Sequence, residues 1–139
     1  MSTGPKIFDW VEYITFAQEL NNGNILVSEE ASYRVAVSRA YYGAFCIARN
    51  YATRHGLLLE DDSNVHIEVQ DHYKNNKDEN MELIGNNLFR LRRDRNRVDY
   101  DDCCSNLKNI VYKSVDAAKK INEIIGELAL NSKQVDQNT

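Results

Sequence analysis

From Ile7 to Leu130 the apolar residues return at steps of three and four, and little between them is able to stop a helix. The chain of 139 residues holds one proline and six glycines. A sandwich or barrel of short strands needs such breakers at every turn, so an all-α fold follows instead. With 42% apolar and 27% charged residues, the chain can both fill a core and cover it. Its length corresponds to one domain that needs no disulfide or metal staple.

The first pattern runs from Ile7 to Leu20, with Ile7, Trp10, Val11, Ile14, Ala17 and Leu20 on one face. Asn21, Asn22, Gly23 and Asn24 tolerate left-handed backbone and stop it. The second runs from Ser28 to His55. Ser28 can cap it, Glu29 and Glu30 complement the helix dipole, and Gly56 follows as a C-terminal glycine. Val37, Tyr41, Ala44, Ala48 and Tyr51 form its stripe, and Ala40 and Gly43 help to make a surface small enough for a close neighbour.

Between Asp61 and Asp78 only Val65, Val69 and Tyr73 mark a short connector helix. The third main helix starts near Asp78 and reaches at least Arg97. The fourth spans Asn106 to Leu130, with Leu107, Ile110, Val111, Ser114, Ala118, Ile121, Ile125 and Leu128 inward. Residues 131–139 are polar and expected to fray. The pattern predicts a single domain with its core in residues 7–130. Its architecture is an antiparallel bundle of four main helices plus a short connector helix.

No apolar run is long enough to cross a bilayer, so no membrane partner is expected. The first six residues lack the basic and apolar parts of a signal peptide, which points to a cytoplasmic protein. Cys46, Cys103 and Cys104 form no CxxC pair, and His55, His66 and His72 stand at no metal-ligand spacing. We therefore expect no metal and no cofactor, and read Cys46 as a small core residue.

Net charge is −4, which gives no global pull toward nucleic acid. The distribution is more informative. Arg90, Arg92, Arg93, Arg95 and Arg97 fall within eight residues, followed by Asp99, Asp101 and Asp102. Screening over about 8 Å lets such a local patch hold phosphate on an acidic protein. In the third main helix Ile84, Leu88 and Leu91 define the inward stripe, and the same steps land on Arg95 and Val98. An arginine is thus expected on a face that otherwise packs inward. Asp99, four residues on, can orient it or simply close a helix end with it. Arg90, Arg93 and Arg97 share a different, solvated face.

Ser38-Arg39-Ala40-Tyr41-Tyr42-Gly43-Ala44-Phe45 resembles the SRAYYAAF block of HEPN domains, nucleotide-binding domains shared by higher eukaryotes and prokaryotes. Trp10, Tyr13, Ala17 and Leu20 resemble the family's first-helix pattern, and residues 91–101 (LRRDRNRVDYD) resemble its C-terminal segment. The resemblance implies a helical bundle, a homodimer, and an arginine motif near the dimer cleft. It also implies RNA or a nucleotide as ligand, and a toxin-like role beside a nucleotidyltransferase antitoxin. The family's Arg-Asn-x-x-x-His motif falls on Arg95 and Asn96, with Tyr100 at the histidine position. A tyrosine that accepts AMP in part of the family corresponds here to Asp102.

Two functional classes follow. One is a metal-independent endoribonuclease, in which Arg95 stabilises charge on the phosphate and Tyr100 positions the ribose 2′-hydroxyl. In that reading Asp99 and Asn96 support Arg95, and Arg39, Tyr42, Arg92 and Arg97 hold the nucleic acid. The other is a non-catalytic module that binds RNA, a nucleotide or a protein through the same surface. A tyrosine, with its pKa near 10, is a weaker base than histidine, and this favours the second class.

Overall fold

The computed structural model describes residues 7–23, 28–60 and 64–137, and these form five helices and no strand. They are α1 (Val11–Asn21), α2 (Glu29–Arg54), α3 (Val65–Lys74), α4 (Glu79–Tyr100) and α5 (Leu107–Gln137). Asn24, the start of the connector at Asp61 and the last two residues of the tail lie outside the described residues.

The helix ends follow local chemistry. Ser28 Oγ accepts from the Ala31 amide at 3.1 Å, and Asp78 Oδ1 accepts from the Asn80 and Met81 amides at 2.8 and 3.3 Å. Gly56, with φ of +103°, terminates α2 in a conformation that favours glycine. Two boundaries differ from the sequence pattern. Ile7 is 85% exposed and lies before α1, because Asp9 starts the helix by accepting from the Val11 amide at 3.1 Å. At the other end α5 continues to Gln137 rather than stopping near Leu130. Polarity alone does not end a helix, and no glycine or proline follows Gly126.

The long helix α2 is central and touches the other four. Arg39 and Arg49 lie over the rings of Tyr13 and Trp10, so α1 and α2 run antiparallel. Arg34 meets the end of α4 while Tyr41 meets Arg95, so α2 and α4 are antiparallel too. Close approach is built in with glycine. A Cβ on Gly43 would stand 3.0 Å from Ile14 and 3.1 Å from the Trp10 carbonyl. One on Gly85 would stand 2.5 Å from the Lys74 backbone nitrogen, so α3 and α4 pack closer there than any side chain allows. Tyr73 is fully buried, and its hydroxyl donates to the Ala48 carbonyl at 2.6 Å, which pins α3 to α2. The inward stripe of α4 is Ile84, Leu88, Leu91, Arg95 and Val98, all buried.

Candidate functional site

Helical phase delivers Arg95 into the bundle, where it is 8% exposed. Its guanidinium carbon stands 5.3 Å from the ring centroids of both Tyr41 and Tyr42. Asp99 Oδ2 lies 3.6 Å from Nη1, an ion pair too long to be a hydrogen bond. The Nε atoms of Arg95 and of Arg92, one turn away, are buried without a hydrogen-bond partner. A buried cation is expensive unless paired and hydrogen-bonded. Cation–π contacts return about 0.5–2 kcal/mol each and leave the N–H groups unmet. The arrangement is therefore suited to receive an acceptor-rich anion.

The opposite wall comes from α2 and α3. The Tyr41 hydroxyl is hydrogen-bonded to His66 Nδ1 at 2.5 Å. The imidazole stacks on Phe45, with centroids 4.3 Å apart, and lies 5.6 Å from Tyr41. Burial pushes the Tyr41 phenol well above its ordinary range, against the pull of Arg92 and Arg95. Burial also holds His66 below 6.5, and Arg92 and Arg95 act in the same direction. The pair is therefore a neutral phenol and a neutral imidazole facing two guanidinium groups.

The structure brings together only part of the set expected from sequence. Arg95 and Tyr42 meet, Arg92 lies one turn from Arg95 on α4, and Arg39 joins through Tyr42, its guanidinium carbon 4.9 Å from that ring. With two guanidinium groups on it, Tyr42 supports the cations. Asn96 is exposed and Arg97 half-buried, and their phase on α4 turns both away from Arg95. Tyr100 is 75% exposed. Because α4 stays regular through Tyr100, the five-residue step separates its side chain from Arg95 within one chain. It lines a shallow concavity with Ser28, Arg34, Asp101, Asp102 and Asp99, the ion-pair partner of Arg95.

Two residues were missed from sequence. Arg34 gathers the end of α4: Nη1 donates to the Val98 and Asp101 carbonyls at 2.7 Å each, and Nη2 to that of Asp102 at 3.1 Å. His66, which stands at no metal-ligand spacing, meets Tyr41 and Phe45 from α3. A signal was available, since His66, Val69 and Tyr73 stand at steps of three and four and share a face of α3.

Among the described residues no cluster of His, Cys, Asp and Glu could hold a metal ion, and no helix is long and apolar enough to cross a membrane. Comparison with protein-family models, with curated proteins and with solved structures gives no match to this chain.

Proposed function

We propose that this chain is a HEPN-type protein that binds RNA or a nucleotide at the Arg95 site, as a homodimer. In that role it is the toxin-like half of a defence pair whose other half is a nucleotidyltransferase. One observation carries the reading: a nine-tenths-buried arginine whose Nε has no acceptor, beside a second buried, unpartnered guanidine nitrogen on Arg92. Phosphate oxygens supply the acceptors and charge that this pair lacks. Arg39 extends the positive charge toward α1.

The test is binding of a labelled RNA oligonucleotide and a labelled nucleotide to the purified protein in EDTA, with its oligomeric state measured by sedimentation. Arg95→Ala and Arg92→Ala are expected to weaken binding at least tenfold and to flatten its salt dependence. Arg90→Ala, an exposed change of equal charge, is expected to have little effect. Equal binding by all four proteins overturns the reading and leaves a helical protein-interaction module.

A second reading, metal-independent RNA cleavage, is favoured by the imidazole of His66 beside Arg95 and Arg92. The ribose 2′-oxygen would bond to phosphorus and lose its proton to the imidazole, while the bond to the 5′-oxygen breaks and that oxygen takes a proton from solvent. Arg95 would stabilise the charge on the phosphate. Cleavage lost in His66→Gln and kept in Tyr100→Phe supports this role for His66. The reverse pattern returns it to Tyr100.

A further inference from the structure

The Arg95 site has an uneven charge balance that His66 is placed to correct. Of the cations that act on His66, Arg92 and Arg95 contribute two positive charges, and Asp99, the one carboxylate within ion-pair distance of them among the described residues, offsets one, while Arg39 contacts Tyr13 and Tyr42. The net single charge suits the internal phosphodiester of a nucleic acid. A terminal phosphate carries about −1.5 to −2 near neutral pH and requires one more cation. On α3, within electrostatic reach of both arginines, stands an imidazole whose Nδ1 is taken by the Tyr41 hydroxyl. Nε2 is the ring nitrogen left for a ligand.

We propose that His66 is the third phosphate ligand of this site, beside Arg92 and Arg95, and that it selects a terminal phosphate, on a nucleotide or an RNA end, whose binding protonates the imidazole. The proposal rests on the RNA or nucleotide reading above and names its substrate class.

The surroundings of the ring allow the change. From α2 it faces Tyr41, Tyr42 and Phe45, all uncharged, and from α4 the cations of Arg92 and Arg95. Without a ligand, burial and both cations oppose protonation. A dianion between the three groups reverses the sign of that field. The phenol tolerates either state, since its hydroxyl can donate to a neutral Nδ1 or accept from a protonated one. Stacking on Phe45 holds the ring in place through the change.

The test uses inorganic sulfate, whose charge is constant over the relevant pH range, then a nucleoside monophosphate, then one RNA oligonucleotide with and without a terminal phosphate. Sulfate affinity in the wild-type protein is expected to rise about fivefold as pH falls from about 7.5 to about 5.5, the part of a one-unit rise in His66 pKa that falls within that range. The NMR titration midpoint of His66 is expected to move up by about one unit in saturating sulfate. This measurement uses the wild-type protein and so does not depend on how a variant folds. His66→Gln is expected to remove the pH dependence, and the terminal phosphate to tighten RNA binding about tenfold.

An unmoved His66 midpoint, or an unchanged pH profile in His66→Gln, overturns the proposal. Equal binding of the two oligonucleotides does so while keeping the RNA reading. Sulfate binding with His66 protonation but no binding of nucleotide or RNA has the opposite meaning: the phosphate site stands and the RNA or nucleotide reading fails.

Discussion

The Tyr41 hydroxyl and His66 Nδ1 lie 2.5 Å apart, and the two rings are inclined by only 23°. The bond joins α2 to α3 where the Tyr41 ring lies against the buried guanidinium of Arg95. Tyr41→Phe removes the hydroxyl and leaves Nδ1 without its partner, while the ring and its packing stay. The expected loss is about 1–2 kcal/mol in urea unfolding, above the mean for a hydrogen bond because the acceptor is left unsatisfied. A loss below about 0.3 kcal/mol would mean that water replaces the phenol freely.

Stability should also depend on pH through His66. Burial, then Arg92 and Arg95, hold its folded-state pKa below 6.5. Unfolding returns it to the ordinary value, so below 6.5 the unfolded chain binds more protons. Stability from this group is therefore complete above about pH 6.5 and is lost as pH falls toward the folded-state value. His72, lowered by burial, adds to the same trend. Chemical denaturation between about pH 5 and 7.5 should show a positive slope of stability with pH, reduced in His66→Gln. An identical slope in the variant would assign the dependence to other groups.

These two groups mark how far the sequence could be read. The stripe of α4 placed Arg95 inside, because periodicity reports the face a residue occupies. The same reasoning put Tyr41 on the buried face of α2. Periodicity does not report which two faces meet. The contact from Tyr41 to His66 spans 25 residues and depends on how closely α3 packs, which Gly85 and Tyr73 decide. Arg34 and the end of α4 are further apart still, 64 to 68 residues, and nothing local to Arg34 names its acceptors. Tyr100 shows the same boundary from the other side, since α4 runs regularly to it and it can join Arg95 only from a second subunit. Five residues on a regular helix point apart, and a sequence does not say whether a second copy closes that gap.

The α3–α4 contact yields a stability prediction with an internal control. Gly85→Ala places a methyl 2.5 and 2.7 Å from the Lys74 backbone nitrogen and Cα, and the two helices must separate to admit it. Overpacking of this kind costs about 1–3 kcal/mol, more where backbone is the obstacle. Gly126→Ala, in an exposed part of α5 with nothing within 4 Å, should stabilise by about 0.5–1 kcal/mol. Thermal unfolding of both variants checks the pair, and equal shifts of the same sign would refute the close approach.

Arg34 supplies three hydrogen bonds to carbonyls at the end of α4 and also pairs with Glu30 at 3.2 Å. Arg34→Ala should cost about 2 kcal/mol and speed amide exchange selectively over residues 98–106. Arg34→Lys should recover less than half, because an ammonium lacks the planar fork that reaches separate carbonyls. Full rescue by lysine would show that charge alone holds this end.

The sharpest separation of stability from function concerns Arg95 itself. A structural arginine would be fully hydrogen-bonded, and removing it would cost about 3–5 kcal/mol through the groups left unpaired. Arg95 instead has an unmatched Nε, a carboxylate at 3.6 Å and two aromatic rings. Arg95→Met keeps most of the volume against Tyr41 and Tyr42 and removes the buried charge. What is lost is the cation–π attraction and a long ion pair, and what is relieved is the desolvation of a guanidinium. The two are of similar size, so urea unfolding should place Arg95→Met within about 1 kcal/mol of the wild type. Binding of a nucleotide or RNA should nonetheless fall at least tenfold. A variant destabilised by about 3 kcal/mol or more would identify Arg95 as a strut of the bundle, and the unmatched nitrogen would then no longer argue for an anion.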